Sequence, residues 1–123
     1  MEKEMKKIAV SSDGPGLDDK VDPRFGRAGG FVVVDVETKE TEYIDNGASQ
    51  VMSHGAGIQA AELVAKAGAE VLLSGYVGPK AFQALSGAGI AIGQNCDNLT
   101  VQEAVDQFLS GKIPISDAPN MQI

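Results

Sequence analysis

A single cysteine, Cys96, excludes an intramolecular disulfide framework. It equally excludes an iron–sulfur cluster held by several of the chain's own thiolates, and it leaves a structural zinc site of the usual kind unsupported. Tryptophan is absent and there are only two tyrosines, so the core is aliphatic. Positive charge is scarce: ten Lys and Arg stand against 17 Asp and Glu, for a formal net charge of −7. That balance argues against general nucleic-acid binding, which draws on dense cationic side chains. No long apolar run follows the charged start Met1-Glu2-Lys3-Glu4-Met5-Lys6-Lys7. Neither a signal peptide nor a membrane span is therefore expected, and the default compartment is the cytoplasm.

What is present is enough for one domain. The chain has 123 residues, 43% of them hydrophobic. Strands are predicted at Ile8–Ser12, Phe31–Val36, Thr41–Asp45, Glu70–Ser74 and Ile90–Ile92 from short β-branched runs bounded by turn residues. Helices are predicted at Gly55–Lys66, with Ile58, Ala61, Leu63 and Val64 inward, and at Pro79–Leu85, where Pro suits the first helical position. A capping box, Thr100-Val101-Gln102-Glu103, opens a third helix with Val101, Val105, Phe108 and Leu109 inward. Ala48 to His54 reads as a loop. The order β-β-β-α-β-α-β-α implies an α/β fold: antiparallel pairing first, then parallel strands with crossover helices, in one mixed five-stranded sheet. The single domain, 1–123, has a core of about 7–110; the aperiodic tail 111–123 is expected to be loose.

Three segments have chemical potential. Arg24 and Arg27, the only arginines, lie in the run Val21-Asp22-Pro23-Arg24-Phe25-Gly26-Arg27-Ala28. Two guanidinium groups on one short loop suit a soft or oxygen-rich anion; the alternative is pairing with Asp18, Asp19 or Asp22. Ser74-Gly75-Tyr76-Val77-Gly78-Pro79-Lys80 ends a strand and opens a helix. Its glycines expose N–H groups at a helix N-terminus, and Lys80 adds a charge there that an anion would balance. An ordinary strand–helix turn with a solvated lysine explains the same residues. His54, the one histidine, precedes a Gly-rich helix start in Ser53-His54-Gly55-Ala56-Gly57. It reads as a donor to an anion, a soft-metal ligand, an acid–base group or a plain surface histidine. Met52 offers a thioether, or simple packing. In a sheet of this kind the loops meet at one edge, which brings all three segments together. Asp13, Asp35 and Asp97 make no tight acidic cluster, and Cys96 reads as a small, partly buried residue.

Four stretches resemble the dinitrogenase iron–molybdenum cofactor biosynthesis family: Ile8–Ser12, Asp22-Pro23-Arg24-Phe25-Gly26-Arg27, His54–Ala61 and Val71–Phe82. The likeness spans roughly residues 7 to 110. It implies a ribonuclease H-like fold and a non-enzymatic binder, carrier or assembly scaffold for an anionic metal–sulfur cluster held noncovalently. Among family members it is closest to those holding a molybdenum–copper sulfide cluster; others carry other cofactor intermediates. Arg24, Arg27 and His54 match family motifs by position, and Lys80 joins them through the anion argument. Gly75 and Gly78 would supply N–H donors, and Phe25, Met52, Tyr76 and Val77 apolar contacts. Two alternatives stand beside this: a cluster-free module that binds a protein partner, and a metal-dependent nuclease.

Overall fold

The computed structural model describes residues 7–50 and 54–121. Five strands run β1 (Lys7–Ser12), β2 (Gly30–Asp35), β3 (Thr41–Asp45), β4 (Val71–Leu73) and β5 (Ala91–Gly93). They form one mixed sheet in the order β3-β2-β1-β4-β5. β1 pairs antiparallel with β2, and β2 with β3, whereas β1, β4 and β5 are mutually parallel. β1, β3, β4 and β5 therefore all point the same way. The loops that leave β1, β3 and β4 gather at one sheet edge.

Side-chain alternation along the strands builds a layer on each face. Ala9, Phe31, Val33, Leu72 and Ile92 pack under α2 (Ala56–Lys66) and α3 (Pro79–Gly87). Ile8, Val10, Val32, Val34, Val71 and Leu73 pack under α4 (Val101–Leu109), together with Val21 and Cys96. The capping box of α4 is complete: Thr100 Oγ1 accepts the Glu103 N–H at 3.1 Å, and Glu103 Oε1 accepts the Thr100 N–H at 2.9 Å.

Several boundaries and faces differ from the sequence reading. Residues Gly47–Gln50 form a single helical turn, α1, where a loop is predicted. α3 runs on to Gly87, two residues past the predicted end. The buried stripe of α2 is Ala56, Ala60, Ala61 and Val64. Ile58, expected inward, lies off that stripe and is 43% exposed. Leu109, the last residue of α4, is likewise half-exposed, as the final turn leaves the sheet.

Candidate functional site

The edge where the three loops meet holds a cavity of about 690 Å³. Its construction begins with Asp22, a buried carboxylate. One oxygen accepts the Arg24 N–H at 3.1 Å and the other the Gly29 N–H at 3.3 Å, which folds the arginine loop back on itself. Asn46, buried just after β3, donates from Nδ2 to the carbonyls of Gly26 at 3.2 Å and Ala28 at 3.0 Å. Ser11 Oγ, at the end of β1, donates to Asp22 O at 2.7 Å and lies 2.8 Å from Ser74 Oγ at the end of β4. The loop after β1 and the turn after β4 are thus fastened to each other beneath the cavity.

Above that fastening the two segments pair like a short strand. Tyr76 N–H donates to Pro23 O at 2.6 Å, and Phe25 N–H to Tyr76 O at 3.1 Å. Gly75 permits this approach: a Cβ there would lie 2.7 Å from Pro23 O and 2.8 Å from Pro23 Cα. Similar closeness seats the arginine loop on the helices. A Cβ on Gly26 would come within 3.0 Å of Gly57 Cα, and one on Gly57 within 2.9 Å of Ala81 Cβ.

The cavity receives Arg24 and Arg27 from one loop, His54 from a second and Lys80 from the first turn of α3. Tyr76, Gly78 and an edge of Phe25 also line it. Phe25 is otherwise a core residue, 1% exposed, with its ring centroid 5.3 Å from that of Phe31. Gly75 and Val77 lie outside the lining. Gly75 serves close packing, and Val77 is fully buried. Met52 falls outside the described residues. Gly26, Gly55, Ala56, Gly57, Pro79, Ala81 and Met121 line the cavity without having been singled out as site residues. The Gly-Ala-Gly start of α2 was the available signal for three of these; nothing local marks Met121.

Two helix N-termini face the cavity: Gly55, Ala56 and Gly57 open α2, and Gly78, Pro79, Lys80 and Ala81 open α3. Neither helix has a side-chain N-cap or an acidic residue in its first turn. Both ends therefore present partial positive charge and backbone N–H donors without a local anion. None of the described residues lining the cavity is acidic, in a chain of net charge −7. For Arg24 the ion-pair alternative is met only weakly. Arg24 Nε lies 3.9 Å from Asp22 Oδ1, with 59% of the Arg24 side chain exposed. Asp19 instead accepts the Gly16 N–H at 2.7 Å.

Direct metal ligation finds no donor set here. Among the described residues no group of three His, Cys, Asp or Glu side chains is placed to hold a metal ion. Cys96 is buried on the α4 face, and burial pushes its thiol up to about 11. It does not reach the cavity lining.

The family that matches residues 5–111 is described as dinitrogenase iron–molybdenum cofactor. The chain belongs to this family. Its fold superposes on the apo form of the orange protein from Desulfovibrio gigas with a TM-score of 0.94 and 62% identity, covering 98% of this chain and 100% of that one. A putative NifB protein from Thermotoga superposes with a TM-score of 0.79 and 32% identity, covering 90% of this chain and 93% of that one. An uncharacterized protein of Methanocaldococcus jannaschii is 31% identical over 112 residues, which is 89% of this chain and 90% of the relative. The chain is thus an orange protein homologue within the family, matched along nearly its whole length.

Proposed function

We propose that this protein is a noncovalent carrier or assembly scaffold for an anionic metal–sulfur cluster of the molybdenum–copper sulfide type, and that it is not an enzyme. The observation that carries the reading is the cavity's charge: two arginines, a lysine and two uncapped helix N-termini, beside the one histidine and with no acidic residue among the described lining. Guanidinium is weakly hydrated and suits a soft, bulky anion better than a compact one. The cavity volume lies within the usual range for ligand sites, about 300–1,000 Å³. With Cys96 buried away from the cavity, the cluster would keep its own sulfides and be held by charge, N–H donors and apolar contact. The orange protein homology supports the cargo class, and the sheet order supports the ribonuclease H-like assignment. No helix among the described residues is long and apolar enough to cross a membrane.

The nuclease alternative needs converging carboxylates. Asp35 pairs across from Lys7, at the sheet edge opposite the cavity, and so stands far from Asp13 and Asp97. The test of the carrier reading is to mix the metal-free protein with tetrathiomolybdate and a copper salt, desalt it, and record the visible spectrum and metal content. Coloured protein with a fixed molybdenum-to-copper ratio is the expected result. Colourless, metal-free protein would contradict it.

A further inference from the structure

After α4 the chain returns along β5, the last strand of the sheet. Ser116 N–H donates to Ile92 O at 2.7 Å, Gln94 Nε2 to Ala118 O at 2.9 Å, and Asn120 N–H to Gln94 Oε1 at 2.9 Å. This covers an edge that would otherwise present open backbone groups. Asn120 then enters the turn after β4. Its Oδ1 accepts the Val77 N–H at 3.0 Å. Its Nδ2 donates to Gly75 O at 2.9 Å and to Asn95 Oδ1 at 3.0 Å. One amide acceptor and both amide protons are thereby used. The next residue, Met121, lines the cavity alongside Arg24, Tyr76 and Lys80.

Ile113, partly buried, packs against the α4-side core, and beyond it the segment is held mainly by hydrogen bonds. No side chain from Leu109 to Met121 is fully buried. Each such bond contributes about 1 kcal/mol net, so this segment can detach while the packed sheet stays folded. Detached, it would free the Val77 N–H and withdraw Met121 from the cavity. Docked, it fixes the turn that carries Tyr76 and Gly78, and it brings a polarisable, uncharged thioether to a cavity whose other walls are cationic or apolar.

We propose that Asn120 and Met121 complete the cluster site. Asn120 is a positioning residue that locks the Gly75–Val77 turn through its side-chain amide. Met121 lays a soft sulfur contact over a sulfur-rich anion and slows its escape. This inference rests on the carrier reading above.

The test loads wild type, N120A, M121A, M121L and the Arg24→Ala/Arg27→Ala variant with tetrathiomolybdate and copper. Metal release from each is then followed after desalting. N120A and M121A are expected to load and to release about tenfold faster, the equivalent of one lost hydrogen bond or contact. M121L is expected to melt at the wild-type temperature yet show a displaced visible band, a change that a purely structural role would not produce. Met121 is not buried, so its variants keep the test open if N120A melts early. Release at the wild-type rate from all three tail variants, with the arginine variant failing to load, would overturn this inference and leave the carrier reading standing. A wild type that does not load would overturn both.

Discussion

Gly75 and Cys96 show how single residues divide between shaping the site and standing apart from it. Gly75 lies within 3 Å of backbone at the point where the arginine loop meets the turn after β4, measured from where a Cβ would sit. Gly75→Ala must push Pro23 away, which also breaks the pairing of Tyr76 with Pro23 and Phe25. The expected cost is about 1–3 kcal/mol, the range for overpacking a tight contact, with weakened cluster loading. Chemical denaturation and metal analysis of the variant check both. Cys96 should behave in the opposite way. Cys96→Ala loads cluster like wild type, because the thiol is buried on the other face of the sheet. Its folded pKa, about 11, lies above the ordinary 9.0, so the thiol's contribution is complete below pH 9 and is lost as pH rises toward 11. Denaturation midpoints across that window should fall less steeply in Cys96→Ala than in wild type.

At the scale of elements, the three longer helices begin in two different ways, and the difference falls at the cavity. α4 closes its own N-terminus with the Thr100–Glu103 box, whereas α2 and α3 leave theirs without a side-chain cap. The cap belongs to stability. Thr100→Ala is expected to cost about 1 kcal/mol, measured by thermal or denaturant unfolding, with no effect on cluster loading. The Thr100 backbone N–H, and then its side chain, hold the Glu103 carboxyl below its ordinary 4.5. That contribution is complete above pH 4.5 and is lost as pH falls through the lowered value, so the stability gap between wild type and Glu103→Ala should narrow in acid. The capping box, the β-branched run Phe31–Val34 and the Pro start of α3 were legible because each is a local pattern with one structural solution. α1 was not legible: residues Gly47–Gln50 carry no apolar periodicity to set a helix apart from a loop.

At the scale of the whole molecule, the cavity is assembled from segments distant in sequence, and legibility follows that distance. Arg24, Arg27 and Lys80 stand out as scarce cations and His54 as the one histidine, each beside glycines, and the parallel arrangement of β1, β3 and β4 brings them to one edge. The fine geometry was hidden. Nothing local indicates that Gly26 rests on Gly57, or that Asn120 reaches Gly75 across 45 positions. Looseness is the sequence expectation for the tail, and the described residues after Leu109 do lack regular structure, but hydrogen bonds at Ser116, Ala118 and Asn120 fasten them to β5 and the turn. A protein of net charge −7 repels an anion at long range, so retention must come from the local cations and helix ends. The most direct measurement of that claim compares wild type with the Arg24→Ala/Arg27→Ala variant after loading with tetrathiomolybdate and copper. Molybdenum and copper per chain are determined after desalting, and circular dichroism verifies the fold. The account predicts a folded variant that emerges colourless while wild type retains both metals. A folded variant that keeps the wild-type metal content would contradict it.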